Sequence, residues 1–194
     1  MSTERYDIGL IRSLTERALL GLGFPQEDTN VTVDTLMFAE MRGNNQGDFI
    51  VLALYIMTIV ILLGLIKLVS GALKPNPLAT EVSVVRNSKV TALLDGGQRM
   101  GMFVVSQAVD MAIDKAKTHG IGAVGVSNYS SATGALGTWA RKITDAGLVG
   151  IVLSQCPEMV APHGSYEAIF GTNPLAIGVP TAGRAQVRIV LQAN

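Results

Sequence analysis

Cysteine, histidine and net charge are all scarce in this sequence, and each scarcity excludes a class of protein. Cys156 is the only cysteine among 194 residues, so no disulfide can form within the chain. The two histidines, His119 and His163, have no partner residues with the spacing of a zinc site. Lysine and arginine number 15, as do aspartate and glutamate, so there is no net charge and no basic run for DNA or RNA. We therefore expect neither a metal centre nor a nucleic-acid partner.

A secretory signal is absent as well. Residues 1–20 include several charged side chains and no early apolar run. Together with the single cysteine, this favours a cytoplasmic protein. One segment points elsewhere, because residues 49–66 carry no charged side chain. A helix of this length spans roughly 27 Å, close to a hydrocarbon thickness of about 30 Å, so the alternative is a membrane location through residues 49–66.

Hydrophobic periodicity predicts an α/β protein that begins with helices. One helix is predicted over residues 5–22 and a second from Pro25 to about Gly43. Residues 81–97 alternate around Asn87-Ser88 like two strands joined by a tight turn. A helix (101–120), a buried strand (121–128), a helix (134–147), a buried strand (148–155) and further strands (173–181 and 187–193) follow. This order is typical of a mixed sheet covered by helices.

Residues 120–125, GIGAVG, match the pattern GxGxxG but not its usual context. In dinucleotide-binding Rossmann folds a strand precedes the glycines and a helix follows them, so that the phosphates meet a helix N-terminus. Here the predicted order is reversed, since a helix ends at Gly120 and a strand follows. We interpret the glycines as a helix stop and a tightly packed strand.

Two loops are candidate binding segments. Residues 127–139 join a strand to a helix N-terminus, where hydroxyls and free backbone amides could bind an anion. From the pattern alone, helix capping by Ser130, Ser131 or Thr133 is the favoured explanation of the same residues. Residues 156–174 form a long loop with several prolines and glycines between two strands, and this loop contains His163. Because such loops often line sites, His163 is a candidate for lying near one.

Several segments, taken in chain order, resemble one family. They are EMRGNNQG, LVSGALKPNP, AIDKAKTHGIGAVGVSN, DAGLVGIVLSQCPEMVAPHGS and FGTNPLAIGVPT. Together they resemble the malate/L-lactate dehydrogenases, a non-Rossmann group of 2-hydroxyacid oxidoreductases that includes ureidoglycolate and sulfolactate dehydrogenases. The resemblance covers most of the chain except residues 48–64 and the C-terminal end, and GTNPLAI is its most specific motif. It implies the α/β fold of that family, NAD or NADP as cofactor, a small 2-hydroxy or 2-oxo acid as substrate, and a homodimer.

The resemblance also implies which residues form the site. The family motif RG..SHG...R corresponds to residues 42–47, with Gln46 in place of a histidine, and the motif NHFG corresponds to residues 128–131, with Tyr129 in place of the acid/base histidine. A tyrosine can donate a proton but is a poor base at neutral pH unless a cation favours its ionised form. The implied catalytic residues are Tyr129, Gln46, Lys67 and Arg42, and the implied cofactor-binding residues are Ser154, Gln155, Cys156, Thr172 and Asn173.

The apolar segment interrupts the first of these motifs. When residues 48–64 are removed, RGNNQG continues directly into LIKLVSGALKPNP. Lys67 then falls four residues after Gln46, at the position of the family's arginine for the substrate carboxylate. We therefore interpret residues 48–64 as an insertion. Three explanations remain open, namely a membrane-inserting helix, a buried core segment and translated non-coding sequence.

The sequence thus predicts three parts. They are an N-terminal helical segment over residues 1–47, an apolar insertion over residues 48–66, and a partial α/β dehydrogenase domain over residues 67–194 that is incomplete at the C-terminus. The functional prediction is an oxidoreductase that transfers a hydride between NAD(P) and a small 2-hydroxy or 2-oxo acid. The alternatives are a catalytically silent fragment and a single-pass membrane protein with a dehydrogenase-like domain.

Overall fold

The structure is a computed structural model that describes residues 6–42, 73–181 and 184–191, the last range by its backbone alone. The apolar segment 48–66 lies outside the described residues, as do Gln46 and Lys67. Within the described ranges, no helix combines the length and the apolar character that a membrane crossing requires. The insertion and its three explanations therefore stay predictions.

Helices and strands follow one another in the predicted order. The helices found in the described ranges are α1 (Ile8–Gly21), α2 (Gln26–Glu40), α3 (Gly101–His119) and α4 (Leu136–Asp145). The strands found there are β1 (Ser83–Asn87), β2 (Thr91–Asp95), β3 (Ala123–Ser127), β4 (Gly150–Leu153), β5 (Leu175–Thr181) and β6 (Arg184–Leu191). The prediction of an α/β fold that begins with two helices is confirmed.

The strands form two sheets of three strands, in the orders β1-β2-β3 and β4-β5-β6. In the second sheet both pairs are antiparallel, with Leu153 of β4 opposite Leu175 of β5. An irregularity between Ile177 and Gly178 shifts the register of β5 against β6. The pairing of β4 with β5 matters for the site, because it brings the segments beyond their paired ends together.

Tertiary contacts divide the chain into two compact units. Unit 1 consists of Met1–Val85, Leu94–Ser106 and Val126–Ala135, and unit 2 consists of Arg86–Leu93, Gln107–Gly125 and Leu136–Asn194. In unit 1, α1 packs against α2, and Leu19 and Leu36 are buried. In unit 2, α4 packs against β4, β5 and β6. The buried core of unit 2 includes Trp139 and Ala140 of α4.

Two glycines allow α4 to approach its sheet closely. A Cβ atom on Gly150 would lie 2.8 Å from Cγ2 of Ile143, and one on Gly178 would lie 2.7 Å from Cγ2 of Thr144. Any side chain at these positions would push the helix away from the strands. The glycines therefore fix the distance between α4 and the sheet formed by β4, β5 and β6.

The GIGAVG segment has the structure that its reversed order predicted. Gly120 follows the end of α3 with a φ of +85°, and its N–H donates to the carbonyl oxygen of Ala116 at 2.8 Å. A Cβ atom on Gly122 would lie 2.2 Å from the carbonyl oxygen of Ala112, so this residue packs directly on the helix backbone. The interpretation as a helix stop and a packed strand is confirmed.

Strands β3 and β4 are less buried than their apolar runs predicted. Side chains of β3 alternate between exposed and half-buried, and only Gly150 is buried in β4. The prediction of buried strands was wrong because it assumed that both faces of each strand are covered. In unit 2, α4 covers one face of the sheet, and Ile151 and Leu153 remain 62% and 73% exposed. Alternation along the strand places these two side chains on the face away from Gly150.

Candidate functional site

The loop that carries Tyr129 belongs to unit 1, where it is bonded to the turn between β2 and α3. Four backbone hydrogen bonds of 2.8 Å join the two segments. The N–H of Gly96 donates to the carbonyl oxygen of Ser127, and the N–H of Gln98 donates to that of Asn128. The N–H of Ser130 donates to the carbonyl oxygen of Arg99, and the N–H of Gly101 donates to that of Ser130. Met100 and Ser130 also form a parallel β-bridge. These bonds extend the pairing beyond the ends of β2 and β3, so the position of the Tyr129 backbone is fixed on both sides.

A network of polar side chains supports the same loop. Asp95 accepts hydrogen bonds from Nδ2 of Asn128 at 2.7 Å and from the N–H of Gly97 at 2.8 Å. Gln98 donates through Nε2 to Oδ1 of Asn128 at 2.6 Å and accepts from Asn76 at 3.3 Å. The bond from Gly97, followed by the bond from Asn128, lowers the pKa of Asp95 below its ordinary value of 3.8. Asp95 is therefore ionised at neutral pH, which suits its two donors.

Tyr129 lies between two glycines. A Cβ atom on Gly96 would lie 3.0 Å from Cβ of Tyr129, and one on Gly101 would lie 2.8 Å from its Cδ2 atom. The side chain is half-buried, and within the described ranges its hydroxyl has no hydrogen-bond partner. A phenol can both donate and accept a hydrogen bond. Among the described residues, neither capacity of the Tyr129 hydroxyl is used.

Left-handed backbone is concentrated in the candidate segments. In the described part of the chain, the non-glycine residues with positive φ are Gln98 (61°), Asn128 (54°), Ser131 (62°) and Asn173 (37°). Such conformations are uncommon outside glycine and persist only where the surroundings impose them. All four lie either in segments that the family resemblance names or in the turn that is hydrogen-bonded to the Tyr129 loop, which favours a functional explanation of these segments.

Arg42 is the other predicted catalytic residue whose position is described. It follows α2 in unit 1, and its guanidinium carbon lies 3.6 Å from the centroid of the Phe38 ring. Its Nη1 atom donates to the carbonyl oxygen of Phe38 at 3.1 Å. The side chain is exposed. Because Gln46 and Lys67 are not described, the assembly of the four predicted catalytic residues stays a prediction.

The five predicted cofactor-binding residues form one cluster in unit 2. Strands β4 and β5 are paired up to Leu153 and Leu175, so residues 154–156 and 171–174 lie side by side. The N–H of Ser154 donates to the carbonyl oxygen of Pro174, the N–H of Cys156 donates to Oδ1 of Asn173, and the hydroxyl of Thr172 donates to Sγ of Cys156, each at 3.1 Å. Two segments that are distant in sequence therefore form a single surface.

Gly171 makes this close approach possible. A Cβ atom at this position would lie 2.2 Å from the carbonyl oxygen of Cys156 and 2.6 Å from Oδ1 of Asn173. Thr172 is buried, whereas Asn173 and Gln155 are exposed. Within the described ranges, neither the Gln155 side chain nor Nδ2 of Asn173 has a hydrogen-bond partner. These free amide groups are suitable partners for the polar groups of a dinucleotide.

The remaining candidates carry less information. His163 is exposed in the long loop of unit 2, and the prediction that it lies near a site stays a prediction. Among the described residues, no group of three or more histidine, cysteine, aspartate or glutamate side chains is placed to hold a metal ion. Sequence reasoning missed the turn from Gly96 to Gly101 that holds the Tyr129 loop. Its signal was a run of turn residues, DGGQRMG, between a predicted strand and a predicted helix.

Comparison with known proteins establishes the family. The sequence pattern of the malate/L-lactate dehydrogenases matches residues 7–191. This chain belongs to the malate/L-lactate dehydrogenase family. The malate dehydrogenase of Pyrococcus abyssi is 34% identical over 89% of this chain and 44% of its own length. The L-sulfolactate dehydrogenase of Methanocaldococcus jannaschii is 31% identical over 80% of this chain and 41% of its own length.

Solved structures support the same assignment. The malate dehydrogenase of Pyrococcus horikoshii OT3 matches with a TM-score of 0.79 and 29% sequence identity, over 97% of this chain and 50% of that protein. The family resemblance and the fold inferred from the sequence motifs are therefore confirmed. The chain spans about half the length of the relatives that it matches.

Proposed function

We propose that this chain carries part of the active site of an oxidoreductase that transfers a hydride between NAD or NADP and a small 2-hydroxy or 2-oxo acid. The observation that carries the proposal is the contact between residues 154–156 and the family motif at residues 171–174, which brings the predicted cofactor-binding residues into one cluster. Relatives named malate and L-sulfolactate dehydrogenases support the substrate class. By the same resemblance, we propose a homodimer.

We propose that Gln155 and Asn173 donate hydrogen bonds to the cofactor, while Thr172 and Cys156 hold the shape of the loop. Thr172 is buried and its hydroxyl is already used by Cys156, whereas the exposed amide groups are free in the described ranges. The nicotinamide ring, when bound, supplies or accepts the hydride. The residues of this chain would orient it and exclude water from one side.

We propose that Tyr129 donates the proton that the substrate oxygen gains when a 2-oxo acid is reduced. The hydroxyl needs only to donate a proton in this direction, so the role does not require it to act as a base. Arg42, together with Lys67 and Gln46, is proposed to bind and polarise the substrate carboxylate and oxygen. The reduction of oxo acids should therefore be easier to detect than the oxidation of hydroxy acids near neutral pH.

Cofactor binding can be measured without turnover. Trp139 is the only tryptophan and lies in α4 beside the sheet that carries the cofactor cluster. We expect energy transfer from Trp139 to reduced nicotinamide, saturating as NADH or NADPH is titrated. A Gly171→Ala variant should raise the Kd obtained from this titration about tenfold or more, because its methyl group forces residues 156 and 171 apart. The absence of energy transfer at about millimolar concentrations of either cofactor would contradict the proposed function.

The role of Tyr129 is tested by its replacement with phenylalanine. Tyr129→Phe should lower kcat for reduction of a 2-oxo acid by roughly 10²- to 10⁴-fold, while the cofactor Kd stays unchanged. Tyr166→Phe is the matched control, because this tyrosine is 100% exposed in the long loop of unit 2. An equal fall of kcat in both variants, or none in the first, would refute the assignment of Tyr129 as the proton donor.

A further inference from the structure

Arg99 is a buried cation in unit 1 that none of the family motifs includes. Only 6% of the residue is exposed, and its guanidinium forms hydrogen bonds with Asp28, with Glu27 at 2.5 Å and with Glu81 at 3.0 Å. Its central carbon lies 4.0 Å from the centroid of the Phe103 ring. Arginine suits this place because its planar group can bond several carboxylates and stack on an aromatic ring at the same time.

The charge of Arg99 is maintained by its partners. Burial alone would lower the pKa of Arg99, but the hydrogen bonds to Asp28 and Glu27 raise it overall. Burial raises the pKa of Asp28, and the bond to Arg99 opposes this rise. Removing the guanidinium would leave Asp28 buried without its cation, whereas Glu27 and Glu81 are exposed and would be solvated. The pair between Arg99 and Asp28, in which both side chains are buried, is therefore the anchor of Arg99 in unit 1.

The backbone of Arg99 belongs to the turn that holds the Tyr129 loop. Its carbonyl oxygen accepts the N–H of Ser130 at 2.8 Å. Its predecessor Gln98 has a φ of +61° and bonds Asn128 through both its backbone and its side chain. A glutamine keeps a left-handed conformation only where its surroundings impose it. The buried side chain of Arg99 restrains one side of Gln98, and Asn128 restrains the other.

We infer that Arg99 is a positioning residue for Tyr129. Its buried ion pair with Asp28 holds the Gly96–Gly101 turn against α2. The backbone hydrogen bonds of that turn hold the loop at residues 128–130 in place. This inference rests on the proposed function for its catalytic meaning. Its structural part concerns only contacts within unit 1. If the pair only stabilised unit 1, its loss would make amide exchange faster throughout the unit. If the pair positions the turn and the loop, its loss makes exchange faster in these two segments in particular.

Amide hydrogen exchange separates the two roles. The double variant Asp28→Asn, Arg99→Gln removes both charges of the anchor, so that no unpaired buried charge remains and the chain can fold. We expect exchange at Gln98, Gly101 and Ser130 to become about tenfold faster or more, while exchange within α1 and β5 changes by less than about twofold. A uniform acceleration across unit 1, or no change at these three amides, would overturn the inference.

Two further variants complete the test. Arg141→Gln, Asp145→Asn removes the exposed ion pair of α4 and should leave exchange in the Tyr129 loop unchanged. Arg99→Lys keeps a cation near Asp28 but lacks the planar fork, so its exchange rates should fall between those of the wild type and the double variant. If Arg99→Lys matches the wild type at all three amides, a charge alone suffices and the guanidinium has no positioning role.

A kinetic measurement tests the catalytic meaning. In a preparation that reduces a 2-oxo acid, the double variant should lower kcat by about tenfold or more and change the cofactor Kd by less than about twofold. Faster exchange with an unchanged kcat would overturn the link to catalysis. Hydrogen exchange needs no turnover, so it tests whether Arg99 anchors the turn even if the wild type is inactive. A wild type without turnover would count against the proposed function alone.

Discussion

At the scale of single residues, Gly101 has the most demanding place beside Tyr129. A methyl group there would lie 2.8 Å from the tyrosine ring and 2.9 Å from the carbonyl oxygen of Ala132. We expect Gly101→Ala to lower the free energy of unfolding by about 1–3 kcal/mol, because neither the ring nor the backbone can move away freely. Urea unfolding followed by circular dichroism measures this change.

Gly21→Ala is the matched control for this substitution. Gly21 is the last residue of α1, and a Cβ atom there would meet nothing within 4 Å. Alanine should therefore be neutral at this position or stabilise the chain by up to about 1 kcal/mol, since it restricts the unfolded state more than glycine does. If both variants were equally stable, the close contact between Gly101 and the Tyr129 loop would be refuted.

Asp95 makes the stability of the Tyr129 loop depend on pH. Its pKa in the folded chain is lower than its ordinary value of 3.8, so its contribution to stability is present above that value and is lost as the pH falls through the folded pKa. Asp28 acts in the opposite direction. Its raised pKa gives a contribution that is present below 3.8 and is lost as the pH rises through its folded pKa. The wild type alone would show only the sum of the two.

Comparison with an Asp95→Asn variant isolates the first contribution. The free energy of unfolding of the wild type should exceed that of the variant at about pH 6, and this difference should shrink steadily as the pH is lowered from 3.8. Urea unfolding of both chains over this range gives the difference directly. A difference that is constant with pH, or that grows in acid, would exclude an ionised Asp95 as the acceptor for Gly97 and Asn128.

At the scale of the elements, the two faces of the β4-β5-β6 sheet differ in their contribution to folding. Leu136 of α4 is buried, whereas Leu153 of β4 is 73% exposed. We expect Leu136→Ala to lower the free energy of unfolding by about 2–5 kcal/mol and Leu153→Ala to change it by less than about 0.5 kcal/mol. Thermal or urea unfolding checks this pair. A comparable loss in both variants would mean that the face carrying Leu153 is covered in solution.

Periodicity identified the helices better than it identified their buried sides. The apolar residues at helical spacing in α1 include Ile8, Leu14 and Leu19, but of these three only Leu19 is buried in the described chain. Thr15 is buried with it. Spacing along a helix shows which side chains share a side, but the neighbouring elements decide how much of that side is covered. Among the described elements, α1 packs against α2.

At the scale of the whole molecule, the sequence by itself determined the family, the order of helices and strands, and the meaning of the GIGAVG glycines. These features depend on local chemistry. Turn residues, hydrophobic spacing and a motif such as GTNPLAI are all read within a few neighbouring residues. The sequence also named the residues of two loops, at 154–156 and 171–174, as members of one site.

Only the tertiary structure decided which distant segments meet. Antiparallel pairing of β4 with β5 joins Cys156 to Thr172 and Asn173, and backbone hydrogen bonds join the turn at Gln98 to the loop at Asn128. Burial of the side chain of Arg99 against Asp28 was equally invisible in the sequence, because its partner lies 71 positions away. Contacts of this kind depend on strand register and on side-chain packing across the chain, and no local pattern of residues encodes either.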